Sequence, residues 1–140
     1  MKRSLLLVFL LMLALSACSA QSTPQAVTGT KVSVEGGAYL NVTPAELKTM
    51  LDDKDFVFIN VHIPFAGNIA GTDLSIPYDQ IDQNLDKLPS DKSAKVVLYC
   101  RSGRMSAIAA ETLVKLGYTN IWNLDGGMVA WEQAGYEIQK

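Results

Sequence analysis

The chain has 140 residues but only two cysteines, Cys18 and Cys100, and one histidine, His62. So few cysteines exclude a disulfide-rich scaffold, and the lone histidine has no second ligand at zinc-site spacing. Charge of one sign is also lacking. Twelve basic residues face fourteen acidic ones, for a net charge of −2. No basic stripe interleaved with aromatics occurs, so nucleic acid is not an expected partner. No apolar run approaches the roughly 20 residues that cross a bilayer. The longest, Leu5 to Leu15, has eleven. What remains is 49% apolar and 19% charged, a composition that can bury a core.

The amino end reads as a processing segment. Met1-Lys2-Arg3-Ser4 is a short basic start, and the eleven-residue apolar run behind it suits a secretory signal. Leu15-Ser16-Ala17-Cys18 then resembles the bacterial lipoprotein processing box. That resemblance implies a signal peptide over residues 1–17, lipidation of Cys18, and a domain held outside the cytoplasm on a cell membrane. An ordinary signal peptide cut near Ala20 would instead discard Cys18. Cleavage before Cys18 would leave ten basic residues against fourteen acidic ones, so acyl chains rather than charge would bind the membrane. Residues 18–37 are rich in Ser, Thr, Gln and Gly and are expected to be a flexible tether. Residues 38–140 would form the domain.

Strand and helix signals alternate through that domain. Ala38 to Leu40 is expected as a short edge strand. Thr43-Pro44-Ala45-Glu46 has a capping residue, a proline in the first turn and a capping-box glutamate. The helix it starts should end near Asp52, and the charged run Asp52 to Asp55 reads as a solvated turn. Phe56 to Val61 and Lys95 to Tyr99 are continuous apolar runs, as in strands buried on both faces. Ser75 to Pro77 suggests a short strand, and Asp82 to Leu88 a short helix. Ser106 to Leu116 predicts a helix with Ala107, Ala110, Leu113 and Val114 inward and Gly117 as its stop. Asn120 to Leu124 is a further strand, Gly126-Gly127 a turn, and Met128 to Ala134 a last helix. Trp122 and Trp131 belong to the expected core. The alternation implies an α/β domain with three layers, a central, mostly parallel sheet and helices on both faces. Ligands bind such sheets beyond the carboxyl ends of the strands, which is where Cys100 falls.

Tyr99-Cys100-Arg101-Ser102-Gly103-Arg104-Met105-Ser106 is the segment with chemistry. A buried strand ends, a cysteine follows at once, and a loop with a glycine leads into a helix. Loop N–H groups and the helix amino end are expected to point at the sulfur and favour a thiolate, with Arg101 and Arg104 adding positive charge.

Val97 to Arg104 resembles the active-site loop of rhodaneses. So do Ala109 to Leu113, Leu116-Gly117-Tyr118, Asn123 to Gly127, Ala130-Trp131 and Ala134-Gly135-Tyr136. Rhodaneses usually read Asp-Val-Arg where this chain has Asn60-Val61-His62. Their Gly-His-Ile-Pro-Gly-Ala stretch is reduced to Asn68-Ile69-Ala70-Gly71-Thr72. The resemblance implies a sulfurtransferase. Cys100 would take sulfane sulfur from a small donor such as thiosulfate as a persulfide and pass it to a thiol or cyanide. Arg101, Ser102, Gly103, Arg104, Met105 and Ser106 would bind the substrate. No metal or organic cofactor is implied, and no protein partner is specified. A persulfide carrier or sulfur-relay module without turnover would use the same loop. Related cysteine phosphatases place arginine six positions after the cysteine, where this chain has Ser106, and Arg104 cannot give the same fork around a phosphate. His62 reads either as a loop residue hydrogen-bonded to its neighbours or as a partner of the cysteine. Met105 forms an apolar lip to the pocket or faces the last helix.

Overall fold

The computed structural model describes residues 26–140. The expected signal peptide, Cys18 and the first part of the expected tether lie outside these residues.

The chain runs β1 (Thr30–Val34), β2 (Gly37–Val42), α1 (Pro44–Asp52), β3 (Val57–Asn60) and β4 (Leu74–Ser75). A 3-10 helix (Tyr78–Lys87), β5 (Val96–Tyr99), α2 (Arg104–Lys115), β6 (Ile121–Leu124) and α3 (Gly127–Gln133) follow. The six strands form one sheet in the order β1-β2-β6-β5-β3-β4, parallel except for the β1–β2 hairpin. The α/β, mostly parallel architecture is therefore as expected.

Both central strands alternate between the sheet's two cores. Val96 and Leu98 of β5 pack with Ile59 and with Ala109, Ala110, Leu113 and Val114 of α2. Val97 and Tyr99 pack with Phe58, with Leu47 and Met50 of α1, and with Met128 and Trp131 of α3. Period-two alternation in a strand covered on both faces makes every residue apolar, hence the unbroken runs. Helix α2 ends in a Schellman motif: Gly117 N–H donates to Val114 O at 2.9 Å and Tyr118 N–H to Leu113 O at 3.0 Å. Its inward face includes Ala109, while Ala107 is only half-buried.

Two expectations about the amino-terminal part are corrected. Thr30 to Gly37 is not tether. A two-residue turn at Glu35-Gly36 closes a hairpin in which Val34 pairs with Gly37 and Thr30 with Asn41. Val32 and Val34 pack against the core. The strand containing Ala38 to Leu40 is consequently not at the edge, because β1 covers it. The expected short helix after Pro77 begins earlier, at Tyr78, and is 3-10 in kind.

Helix α1 starts as its sequence requires. Thr43 Oγ1 accepts from Glu46 N–H at 3.2 Å, and Glu46 Oε2 accepts from Thr43 N–H at 2.9 Å. The other carboxylate oxygen of Glu46 accepts from Thr28 N–H and Gly29 N–H, both at 3.1 Å. One buried carboxylate thus joins the capped helix to the chain entering β1. Burial alone would raise its pKa, but the hydrogen bonds from Thr43, Gly29 and Thr28 outweigh it and hold the group at about 2 instead of 4.5. A carboxylate depressed in the folded state contributes stability that is present above the unfolded value and lost as pH falls through the folded one. The difference corresponds to about 3 kcal/mol at neutral pH. Urea denaturation of the wild type and Glu46→Gln should therefore show a stability gap at pH 6 that shrinks progressively between about pH 4.5 and pH 2.

Candidate active site

Register brings the site together. Asn60 of β3 pairs with Tyr99 of β5, and Val61 N–H continues the ladder to Tyr99 O at 2.9 Å. The residues just past both strands, Val61-His62 and Cys100-Arg101, are therefore neighbours at the carboxyl edge of the sheet. Tyr78 N–H donates to Val61 O at 3.1 Å, which brings the 3-10 helix to the same edge.

Cys100 is 1% exposed, and among the described residues it is a free thiol. Its Sγ accepts from Gly103 N–H at 3.1 Å and from the Ser106 hydroxyl at 3.4 Å. The Ser106 hydroxyl also lies 3.1 Å from Gly103 O, and the residue is fully buried. The donors aimed at the sulfur are thus one loop amide and one hydroxyl from the first turn of α2. Serine six positions after the cysteine is spent on the sulfur and the loop. Gly103, with φ +90°, turns the chain into α2.

Helix α3 holds the loop from below. Met128 N–H donates to Cys100 O at 2.9 Å and Val129 N–H to Arg101 O at 3.0 Å. Both carbonyls are thus tied to the start of α3, on the two residues that precede the Ser102-Gly103 amide facing the sulfur. The approach requires glycine at 127. A Cβ there would lie 2.3 Å from Cys100 O and 2.7 Å from Arg101 C, and φ is +58°. Sequence reasoning read Gly126-Gly127 as a turn and missed this clamp.

A cavity of about 210 Å³ opens at the sulfur, lined by His62, Tyr78, Cys100, Arg101, Ser102, Arg104, Met105 and Ile108. Of the expected substrate-binding residues, Arg101, Ser102, Arg104 and Met105 line it. Gly103 and Ser106 instead hold the sulfur from within the loop. Met105 is on the cavity wall and also packs against the core, which decides between its two readings. Tyr78 and Ile108 were not foreseen, since neither belongs to a motif. Among the described residues neither arginine of the loop is paired with a carboxylate. Both are exposed and both line the cavity.

The wall opposite the loop is held by amides. Asn60 is buried. Its Nδ2 donates to Gly67 O and to Asn68 Oδ1, both at 2.9 Å, and its Oδ1 accepts from His62 N–H at 3.0 Å. Tyr99 OH completes the network against Asn68 Oδ1 at 3.2 Å, Ile69 N–H at 3.1 Å and Thr72 Oγ1 at 2.7 Å. The His62 ring takes no part in it. Its Nδ1 is buried without a hydrogen-bond partner among the described residues, so the bond of the His62 backbone N–H to Asn60 Oδ1 is the one made to a neighbour there. Burial and, after it, the charge of Arg101 lower its pKa below the usual histidine value.

Cys100, held by an amide and a hydroxyl at the carboxyl end of a central parallel strand, falls within the segment that a family model matches. The model of the rhodanese-like domain matches residues 43–134. The chain belongs to the rhodanese-like domain family. A sulfurtransferase of Allochromatium vinosum is 32% identical over 91 residues, which cover 64% of this chain and 83% of that protein. A tRNA uridine(34) hydroxylase of Erwinia tasmaniensis is 32% identical over 107 residues, covering 72% of this chain but only 30% of the hydroxylase. Among solved structures, a rhodanese-related protein from Thermoplasma volcanium superimposes with a TM-score of 0.60 at 30% identity, over 70% of this chain and 95% of that one.

The clamp beneath this rhodanese-like loop predicts its own sensitivity. Gly127→Ala should cost about 2 kcal/mol or more, because backbone must move as well as adopt a disfavoured φ. Gly135 also has positive φ, +88°, but meets nothing within 4 Å. Gly135→Ala should therefore cost only about 1 kcal/mol. Denaturant unfolding of the two variants checks the difference.

Proposed function

We propose that the protein is a sulfurtransferase that carries sulfane sulfur as a persulfide on Cys100. The observation that carries this reading is the buried Cys100 Sγ, donor-bound by Gly103 N–H and Ser106, in a residue that lines one cavity with Arg101 and Arg104, neither of them paired with a carboxylate among the described residues. The sulfurtransferase name of the Allochromatium vinosum relative supports it. With thiosulfate as donor, the Cys100 thiolate attacks the outer sulfur. The bond between the two donor sulfurs breaks, sulfite leaves with the electron pair, and Cys100 holds a persulfide anion. Cyanide or a thiol then removes the outer sulfur and restores the thiolate, a two-step exchange through a covalent intermediate. The Gly103 amide and the Ser106 hydroxyl stabilise the sulfur whenever it carries charge.

Cys100→Ser should abolish thiocyanate formation from thiosulfate and cyanide, and mass spectrometry should find no one-sulfur adduct on the variant. Arg101→Ala and Arg104→Ala should each raise KM for the thiosulfate dianion several-fold and flatten its dependence on ionic strength, since both charges are exposed and screened by salt. Unchanged salt dependence together with lowered melting temperature would assign the arginines to loop stability instead.

We also propose that Cys18 is the lipid attachment site, on the strength of the apolar run ending in Leu15-Ser16-Ala17-Cys18. Cys18→Ser should leave the expressed protein unprocessed or in the soluble fraction. Unaltered processing and membrane fractionation would refute the assignment.

A further inference from the structure

Two buried side-chain polar atoms lack a hydrogen-bond partner among the described residues, His62 Nδ1 and Asn123 Oδ1, and of the two residues His62 is the one at the cavity. Asn60, Asn68 and Tyr99 all have hydrogen-bond partners, whereas His62 Nδ1, a few residues away, has none among the described residues. Leaving such a group unpaired costs free energy, and a catalytic role is one reason for a fold to retain it. The same imidazole lines the cavity into which Cys100 opens.

Resting on the persulfide reading above, we propose that His62 is a catalytic residue of the second half-reaction, relaying the proton of a thiol acceptor to the sulfur that leaves Cys100. The physiological acceptor class is then a thiol.

Three features support the relay. Strand register puts His62 beside the Cys100-Arg101 peptide, on the wall an acceptor must pass. The titratable and charged groups lining the cavity with it are Tyr78, Cys100, Arg101 and Arg104, from the 3-10 helix, the cysteine loop and α2. None is a carboxylate, and burial and Arg101 both oppose the imidazolium, so the anionic sulfur on Cys100 is the one group of the lining that favours it. The resting ring is neutral and can accept a proton. Finally, no group among the described residues holds Nδ1. The ring is therefore not locked in one tautomer, and the nitrogen that takes the acceptor's proton can return it.

The step balances as follows. The acceptor thiol gives its proton to His62, and its sulfur attacks the outer sulfur of the Cys100 persulfide anion. The bond between that sulfur and Cys100 Sγ breaks, and the electron pair stays on Sγ, facing Gly103 N–H and Ser106. The imidazolium returns the proton to the transferred sulfur, which departs as the acceptor's persulfide. No proton is gained or lost, and no external oxidant or reductant is required.

Sulfite separates this role from a structural one, because as a dianion it attacks the same sulfur with no proton to move. Protein loaded with thiosulfate and freed of excess donor is mixed in single turnover with glutathione or sulfite at about pH 7.5, where a thiol of pKa about 8.5 is about 90% protonated. Loss of the one-sulfur adduct is followed by mass spectrometry. In His62→Gln the ratio of glutathione to sulfite rates should fall by about 10²-fold, the scale of proton transfer by a positioned side chain. The remaining glutathione rate should rise about tenfold per pH unit below the thiol pKa, and less steeply in the wild type. An unchanged ratio, with both rates falling together or neither falling, would overturn the relay. Failure of the wild type to load any sulfur would instead overturn the sulfurtransferase reading beneath it.

Discussion

The amino end of α3 against the cysteine loop is the contact on which the site depends. Two α3 amides hold the carbonyls of Cys100 and Arg101. Peptide planes are rigid, so fixing the direction of those carbonyls also fixes the Arg101 and Ser102 N–H groups that share their planes. The next amide along the loop, Gly103 N–H, meets the sulfur. The approach is possible only because residue 127 has no Cβ. Strand β5 delivers the cysteine and α2 supplies Ser106, but their geometry at the sulfur follows from a helix almost thirty residues further on.

That distance explains what could and could not be read beforehand. Features encoded by neighbouring residues were legible: the capping box of α1, the buried runs of β3 and β5, the Gly117 stop of α2, and a cysteine placed at the carboxyl end of a central strand. Features made by pairing remote segments were not. Nothing near Gly127 announces that Cys100 O will lie against it, and nothing near Tyr78 or Ile108 places them beside the sulfur. Strand β1 failed for another reason. Its alternation supplies only Val32 and Val34 as inward residues, too few to distinguish a half-covered outer strand from a polar tether. The Glu35-Gly36 turn was the signal that composition obscured.

The sheet order turns two unrelated motifs into one pocket. Since β3 and β5 are adjacent and parallel, whatever follows Asn60 must lie beside whatever follows Tyr99. A one-residue slip in that register would send every side chain to the opposite face. The register is well protected, because Ile59 and Leu98 are locked in one core and Phe58 and Tyr99 in the other. Tyr99 adds a specific anchor, its hydroxyl meeting Asn68, Ile69 and Thr72 and thereby positioning the loop that follows β3. Pocket shape is thus set by core packing rather than by contacts between the reactive groups themselves.

Seen this way, Asn60 and His62 are one departure from the rhodanese pattern rather than two. An aspartate at 60 could accept from His62 N–H but could not donate to Gly67 O and Asn68 Oδ1, as the amide does. It would also place a negative charge two residues from the imidazole, favouring its protonated form. An arginine at 62 would remain charged and could not exchange a proton. Replacing one acid and one base by two neutral groups leaves the net charge of this wall unchanged. What changes is its chemistry: a charged pair gives way to an amide and an imidazole, and a neutral imidazole has a nitrogen that can accept a proton. The charges exposed beside the cavity are those of Arg101 and Arg104 on the cysteine loop. On the proposed sulfur-transfer reading, donor capture and acceptor activation would thus fall to different residues of one cavity.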